Sequence, residues 1–378
     1  MIAQTRRILF LMAGLGLSSI AAAEVPPAIE TELIHIGKIV DPACTAKLYR
    51  PLMPSNDITS SAVPLYPGIT IERNVAFGPA PRDVVDIFTA DHGKAERPVL
   101  IYIPGGGGEK IELQSKEANA FYDNIGRWAT KNGMVGVTME RHFSPTWDGG
   151  AKDVAAMLAF VQTHIAHYHG DPKRIFVWAH SAGNVPLGTY LGRPELWGPN
   201  GVGVKGAILM SPASFNILPL RAEMGSREQM MKMFAEAGKT CGAPGPMSTD
   251  AALPGIAVGQ PGGPAPPPPG AAPGSPPPAP EEVDAATLLS RSSLPALKQS
   301  TVKIFLVNGE YDIGADPSTG NLMPFVKTLH DGLCNDGAAH CPAVLVAKGH
   351  SHMSVVFSID TADTSVSGPV LAWIKQIH

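Results

Sequence analysis

The residues with the clearest chemical potential lie in Val177-Trp178-Ala179-His180-Ser181-Ala182-Gly183-Asn184. A short β-prone apolar run, Arg174 to Trp178, leads into Ser181, and Ala182 to Leu191 can begin a helix behind it. A serine at such a strand-to-helix elbow is held in a strained turn with its hydroxyl exposed above a sheet. The next backbone N–H, that of Ala182, is then free to donate to an oxyanion. Because the turn brings strand and helix together, its neighbours must be small. The pattern G-x-S-x-G is met here with one extra methyl group, since Ala179 stands at the first glycine. The chemistry such an elbow serves is attack of a serine hydroxyl on a carbonyl.

Three further segments supply what that attack needs. Arg97 to Pro104 reads as a buried strand running into Gly105-Gly106-Gly107-Gly108. Consecutive glycines let backbone N–H groups turn toward a developing negative charge, so Gly106 and Gly107 join Ala182 as oxyanion donors. Neither G-x-x-x-x-G-K-[ST] nor G-x-G-x-x-G fits this run, which argues against a phosphate cradle. Val302 to Val307 reads as a strand followed by Asn308-Gly309-Glu310-Tyr311-Asp312, where a carboxylate would orient a histidine. Asp312 is the choice, four residues beyond the strand, with Glu310 and Asp316 as competitors. Pro342 to Ala347 is another strand, followed by Gly349-His350-Ser351-His352-Met353-Ser354, which offers two histidines as general base. Serine, then acid, then histidine is one of the known chain orders of a catalytic triad.

These elements need a scaffold. Val154, Met157, Leu158, Val161, Ile165 and Tyr168 fall on one helical face, which Gly170-Asp171-Pro172 terminates before the elbow strand. Ile69 to Phe77 and Val84 to Thr89 read as antiparallel edge strands joined through Gly78-Pro79-Ala80-Pro81. From Pro98 onward strands and helices alternate, so the fold class is α/β, a mostly parallel central sheet with helices on both faces. Val370, Leu371, Trp373, Ile374 and Ile377 mark an amphipathic C-terminal helix. Residues 24 to about 68 are Pro-rich and weakly periodic, and are expected to wrap the domain.

The sequence resembles the α/β-hydrolase superfamily, especially bacterial carboxylesterases of the lipase and feruloyl-esterase-like groups. Gly170-Asp171-Pro172-Lys173-Arg174-Ile175 leading to Ser181-Ala182-Gly183 is similar to their G-D-P-x-R-I … x-S-A-G signature. Likewise Gly349 to Ser354 is similar to a G-H-x-H-x-S ending. The resemblance covers residues 69 to 378 apart from one insertion, and implies His352 rather than His350 as the base. It also implies a cap over the site after the sixth strand. That cap is expected at 215–252, where Met224, Met230, Met231 and Met233 could adapt to varied acyl groups. Three departures bear on the subgroup: Ala179, the absence of a histidine before Gly105, and Met139-Glu140-Arg141-His142-Phe143 in place of Y-R-L-A-P. None of Glu140 to Phe143 is assigned a catalytic role.

Residues 253–281 are Pro/Gly/Ala low complexity and read as a disordered insertion dispensable for chemistry. At the N-terminus Arg6-Arg7, the apolar run Ile8 to Ile20 and Ala21-Ala22-Ala23 read as a signal peptide over 1–23, leaving 24–378 as the catalytic domain. A secreted or periplasmic protein without stable membrane insertion is therefore expected. Its four cysteines then suggest two disulfides, Cys334 with Cys341 across a short loop and Cys44 with Cys241 by elimination. The chain carries a formal charge of −4, and nothing basic points to nucleic acid. His164, His167 and His169 read as a solvated helix end, not a metal site.

The expected function is therefore ester hydrolysis of a small-molecule substrate, without metal or organic cofactor. A peptidase or amidase with the same triad is a second reading. A catalytically silent binding protein is a third, disfavoured because Ser181, Asp312 and both histidines are present.

Overall fold

The computed structural model describes residues 24–37, 40–54, 66–90, 96–106, 120–141, 146–212, 285–316, 318–334 and 341–377. The expected signal peptide, the cap at 215–252 and the insertion at 253–281 lie outside the described residues.

Eight strands form one sheet in the order β1-β2-β4-β3-β5-β6-β7-β10. They are β1 (Ile69–Ala76), β2 (Val84–Ala90), β3 (Arg97–Ile103), β4 (Val135–Met139), β5 (Gly170–His180), β6 (Gly206–Met210), β7 (Lys303–Tyr311) and β10 (Ala343–Ser351). A separate two-stranded ribbon pairs β8 (Ala315–Asp316) with β9 (Asn321–Leu322). Along this sheet from β4 to β10 every pairing is parallel, whereas β2 pairs antiparallel with both β1 and β4 and is the one strand of the sheet that runs against the rest. Only β1 of that pair is an edge strand, because the far side of β2 is hydrogen-bonded to β4. The expectation of two edge strands is corrected accordingly.

Side chains alternate between two apolar layers, as a sheet covered on both faces requires. Leu100, Tyr102, Phe176 and Trp178 point into one layer, Val99, Ile101, Ile103, Ile175, Val177 and Ala179 into the other. The first layer is closed by α1 (Pro27–Ile36), α2 (Pro42–Tyr49), α3 (Asp123–Lys131) and the C-terminal helix. The second is closed by α4 (Gly149–His164), α5 (Asn184–Leu191), α7 (Leu294–Leu297), which the outlying α6 (Ala285–Arg291) precedes, and α8 (Pro324–Cys334). A short α9 (Ser354–Phe357) follows β10, and α10 (Ser367–Gln376) ends the fold with Trp373 against Phe176 and Phe305.

Three local expectations change. Two helices, Pro27–Ile36 and Pro42–Tyr49, form in the Pro-rich N-terminal segment, with Ile29, Leu33, Ile36, Cys44 and Tyr49 buried. Pro27 and Pro42 each open a helix, where a missing N–H costs nothing, and Asp41 caps the second by accepting from the Cys44 N–H at 2.9 Å. The helix before the elbow strand tightens to a 3-10 turn at Ile165–Tyr168, leaving Tyr168 half-exposed with its hydroxyl donating to Glu72. Finally β7 runs to Tyr311, so Asp312 follows the strand directly instead of lying four residues beyond it.

Cys334 and Cys341 are disulfide-bonded. Cys44 is also in a disulfide, and Cys241, its expected partner, lies outside the described residues. Among the described residues no helix is long and apolar enough to cross a membrane.

Candidate active site

Strand β5 ends at His180, and Ser181 follows with φ 50°, in the left-handed region that a non-glycine residue enters only under local constraint. A 3-10 turn, Ser181–Gly183, then passes into α5. The side-chain amide of the buried Asn184 donates to Ser181 O at 2.9 Å and Met210 O at 2.7 Å, tying the elbow to the end of β6. The demand for small residues has a concrete origin. A Cβ on Gly183 would lie 2.5 Å from Pro104 O and 2.7 Å from Ile103 O, both backbone atoms. One on Gly105 would lie 2.9 Å from Ser181 Cβ. The Ala179 methyl, by contrast, is accommodated in the second apolar layer. Gly183→Ala is accordingly expected to destabilise the fold by about 1–3 kcal/mol, read as a lower urea midpoint. An unchanged midpoint would show that the β3 loop gives way freely.

At the carboxyl ends of the parallel strands, Ser181, His352 and Asp312 come together. Ser181 Oγ lies 2.8 Å from His352 Nε2, and His352 Nδ1 lies 2.7 Å from Asp312 Oδ1. His352 and Asp312 are fully buried, and Ser181 is partly exposed at the surface end of the array. Asp312 Oδ1 also accepts the Ile313 N–H at 2.6 Å, and Oδ2 accepts the hydroxyl of Ser211. Burial alone would raise the Asp312 pKa, but the charge and hydrogen bond of His352 and the Ser211 hydroxyl together hold it below its ordinary value. Of the competing carboxylates, Glu310 instead accepts the Gly349 N–H at 2.9 Å. Asp316 lies on the short ribbon strand β8, beyond the end of β7.

Gly106 turns with φ 56°, immediately after Gly105 and opposite the elbow. Gly107 lies outside the described residues. Behind this loop the buried Arg141, two residues past β4, donates from Nε to Pro104 O at 3.2 Å and from Nη2 to Gly106 O. By holding these carbonyls it fixes which way the loop's peptide groups face. Glu140 beside it is buried and paired with Arg82.

Solved structures share this architecture. A truncated carbohydrate esterase from gut microbiota superposes with a TM-score of 0.52 at 14% identity, over 81% of this chain and 95% of that one. Esterase B from Lactobacillus rhamnosis matches with a TM-score of 0.52 at 13% identity, over 88% and 94%. The chain has the α/β-hydrolase fold. Within it, the BD-FAE family model matches residues 85–187 and the Carboxylesterase family model residues 146–250, so both contain the Ser181 elbow. The chain is 25% identical over 118 residues to a probable isoprenylcysteine alpha-carbonyl methylesterase of Arabidopsis thaliana, covering 30% of the chain and 23% of the relative. It is 34% identical over 101 residues to gut esterase 1 of Caenorhabditis elegans, covering 24% and 17%. The chain thus spans only about a quarter or less of the curated relatives it matches.

The other histidine of the Gly349–Ser354 segment, His350, occupies a different environment. His350 is fully buried with both ring nitrogens engaged: Nδ1 lies 3.0 Å from Ser354 Oγ and Nε2 2.7 Å from Ser365 Oγ. Asp363 Oδ2 is 3.3 Å from Nε2. Because the Ser365 hydroxyl donates to Asp363 Oδ1, its oxygen is left to accept from His350 Nε2–H. Ser354 Oγ in turn accepts the Ser351 N–H at 2.8 Å, closing the turn that carries His352. The other histidines singled out, His164 and His167, bond to carbonyls of their own helical segment, Phe160 O and His164 O.

Sequence reasoning passed over Ser211 and His180, and gave Arg141 no catalytic role. A serine directly after β6, a charge two residues past an apolar strand and a histidine beside the elbow serine were the only signals available. His180 is buried, and burial first, then the neighbouring His352, push its pKa down to about 3. A folded value below the ordinary 6.5 means that the unfolded chain binds the extra proton in between. Stability from this group is therefore complete above pH 6.5 and is lost as pH falls toward 3, by up to about 1.4 kcal/mol per pH unit. Urea midpoints at pH 7 and pH 5 should fall less for His180→Gln than for the wild type, and equal falls would refute this.

Proposed function

We propose that this chain is an exported serine carboxylic ester hydrolase acting on small or aryl esters. The observation that carries the reading is the continuous relay of 2.8 Å and 2.7 Å from Ser181 Oγ through the His352 ring to Asp312. In this mechanism His352 Nε2 takes the Ser181 proton as the oxygen attacks the ester carbonyl. Asp312 keeps Nδ1 protonated and offsets the imidazolium charge. The tetrahedral oxyanion is received by the N–H groups of Ala182, Gly106 and Gly107. His352 passes its proton to the leaving alkoxide, and an acyl-enzyme remains on Ser181. Water, deprotonated by the same histidine, then releases the acid and restores the serine. None of these steps calls on a metal or organic cofactor.

The esterases named among the relatives and the two family matches support an ester as substrate. Export rests on the N-terminal pattern over 1–23, with which the disulfides are consistent. The domain reading remains a catalytic unit over 24–378 with a cap at 215–252 and a low-complexity insertion at 253–281.

Release of nitrophenol from a short-chain p-nitrophenyl ester, with mass-spectrometric detection of a phosphonate adduct on Ser181, tests the proposal. Turnover without labelling at Ser181 would refute it. A second measurement separates the two histidines. His352→Ala should reduce turnover by about 10⁴-fold or more with the fold retained. His350→Ala should act mainly by lowering the thermal midpoint, because it leaves Asp363 and Ser354 buried without their partner. The reverse ranking in turnover would move the base to His350.

A further inference from the structure

The residue before the elbow serine has no part in the mechanism above, yet it touches the base. His180 Nε2 lies 2.9 Å from the backbone oxygen of His352, and the two rings pack with centroids 4.9 Å apart. A carbonyl can only accept, so His180 carries its proton on Nε2. Its other nitrogen, Nδ1, is buried without a hydrogen-bond partner among the described residues, on the side of Gly105, where a Cβ would come within 3.1 Å of it. Three links therefore close a ring. His180 is covalently joined to Ser181, its imidazole holds the His352 main chain, and the His352 imidazole meets Ser181 Oγ at 2.8 Å.

We propose that His180 is a positioning residue that fixes His352 against Ser181 through the hydrogen bond from its Nε2–H to the His352 carbonyl. This deepens the ester hydrolase reading and rests on it. The role needs a neutral ring, since a second cation beside His352 would oppose the imidazolium that forms there during turnover. His180 meets that need: the groups that bear on its charge are His352 and Asp312, and burial outweighs the carboxylate's pull. A fixed ring also suits the tolerance of the reaction, in which a misplacement of about 1 Å costs about 10²-fold. The short path matters here: only one peptide link separates the nucleophile from the side chain that holds the base's loop.

The test compares His180→Leu with His180→Gln. Leucine removes the donor, whereas the glutamine amide can place an N–H near the position of Nε2–H. His180→Leu is expected to lower kcat by about 10- to 100-fold with KM unchanged, and to slow phosphonate labelling of Ser181 in parallel. His180→Gln should recover most of both. Wild-type kcat in the leucine variant, or equal impairment in the two folded variants, would overturn the proposal. If either variant does not fold, ¹⁵N NMR of the wild-type histidines decides: a neutral His180 ring with its proton on Nε2 from pH 8 to pH 5 is expected. A charged ring, or a proton on Nδ1, would overturn the inference. That spectrum is independent of turnover, so it separates failure of this inference from failure of the esterase reading, which Ser181→Ala tests.

Discussion

Ser181→Ala is expected to lower ester turnover by about a million-fold while leaving the protein folded. The substitution removes a single oxygen from a partly exposed position. No buried donor is stranded by it, because the other face of the array, from His352 to Asp312, keeps its own hydrogen bonds. Alanine at 181 still has to take a positive φ, as serine does at 50°, so the elbow strain is unchanged. What disappears is the bond-forming atom. The residual rate should be that of water attacking a carbonyl held by backbone N–H groups, and substrate affinity should be retained. Single-turnover kinetics with a p-nitrophenyl ester would show no burst. Activity close to wild type in the variant would remove the whole assignment, since no other serine stands within reach of His352 Nε2 among the described residues.

Asp312→Asn should cost about 10⁴-fold in kcat, with a thermal midpoint within a few degrees of wild type. Three donors converge on this carboxylate: His352 Nδ1–H, the Ile313 N–H and the Ser211 hydroxyl. An amide has one acceptor oxygen and one NH2. If the NH2 faces His352, it needs a lone pair on Nδ1, which places the ring proton on Nε2 and prevents that nitrogen from accepting from Ser181. If it faces Ser211, whose hydroxyl can rotate to accept, the tautomer survives but the imidazolium forms beside a neutral group in a buried site. Either outcome depresses kcat far more than KM. Measurement of both constants decides, and a loss confined to KM would remove Asp312 from the relay. Asp312→Ala should also destabilise, because it leaves buried donors with no acceptor.

Much of this was local and therefore readable. The elbow, the glycine run after β3 and the order of apolar strands are set by short-range preferences: period-two burial, β-branched runs and the small residues that a tight turn requires. The N-terminal segment was less legible, because its weak periodicity hides two short helices that open at Pro27 and Pro42.

Contacts between distant segments followed a different logic. His350 and His352 are two residues apart, of one type, at the end of one strand, and no periodicity separates them. They differ in what the fold packs against each: Ser365 and Asp363 from the C-terminal loop at the first, Asp312 and Ser181 at the second. Ser211 reaches Asp312 across 101 positions, and His180 reaches His352 across 172. The sequence by itself therefore determined the kind of scaffold and the short list of reactive groups, since both depend on neighbours along the chain. Tertiary structure alone decided which of those groups meet, because hydrogen-bond partners brought together by sheet order leave no trace in local spacing.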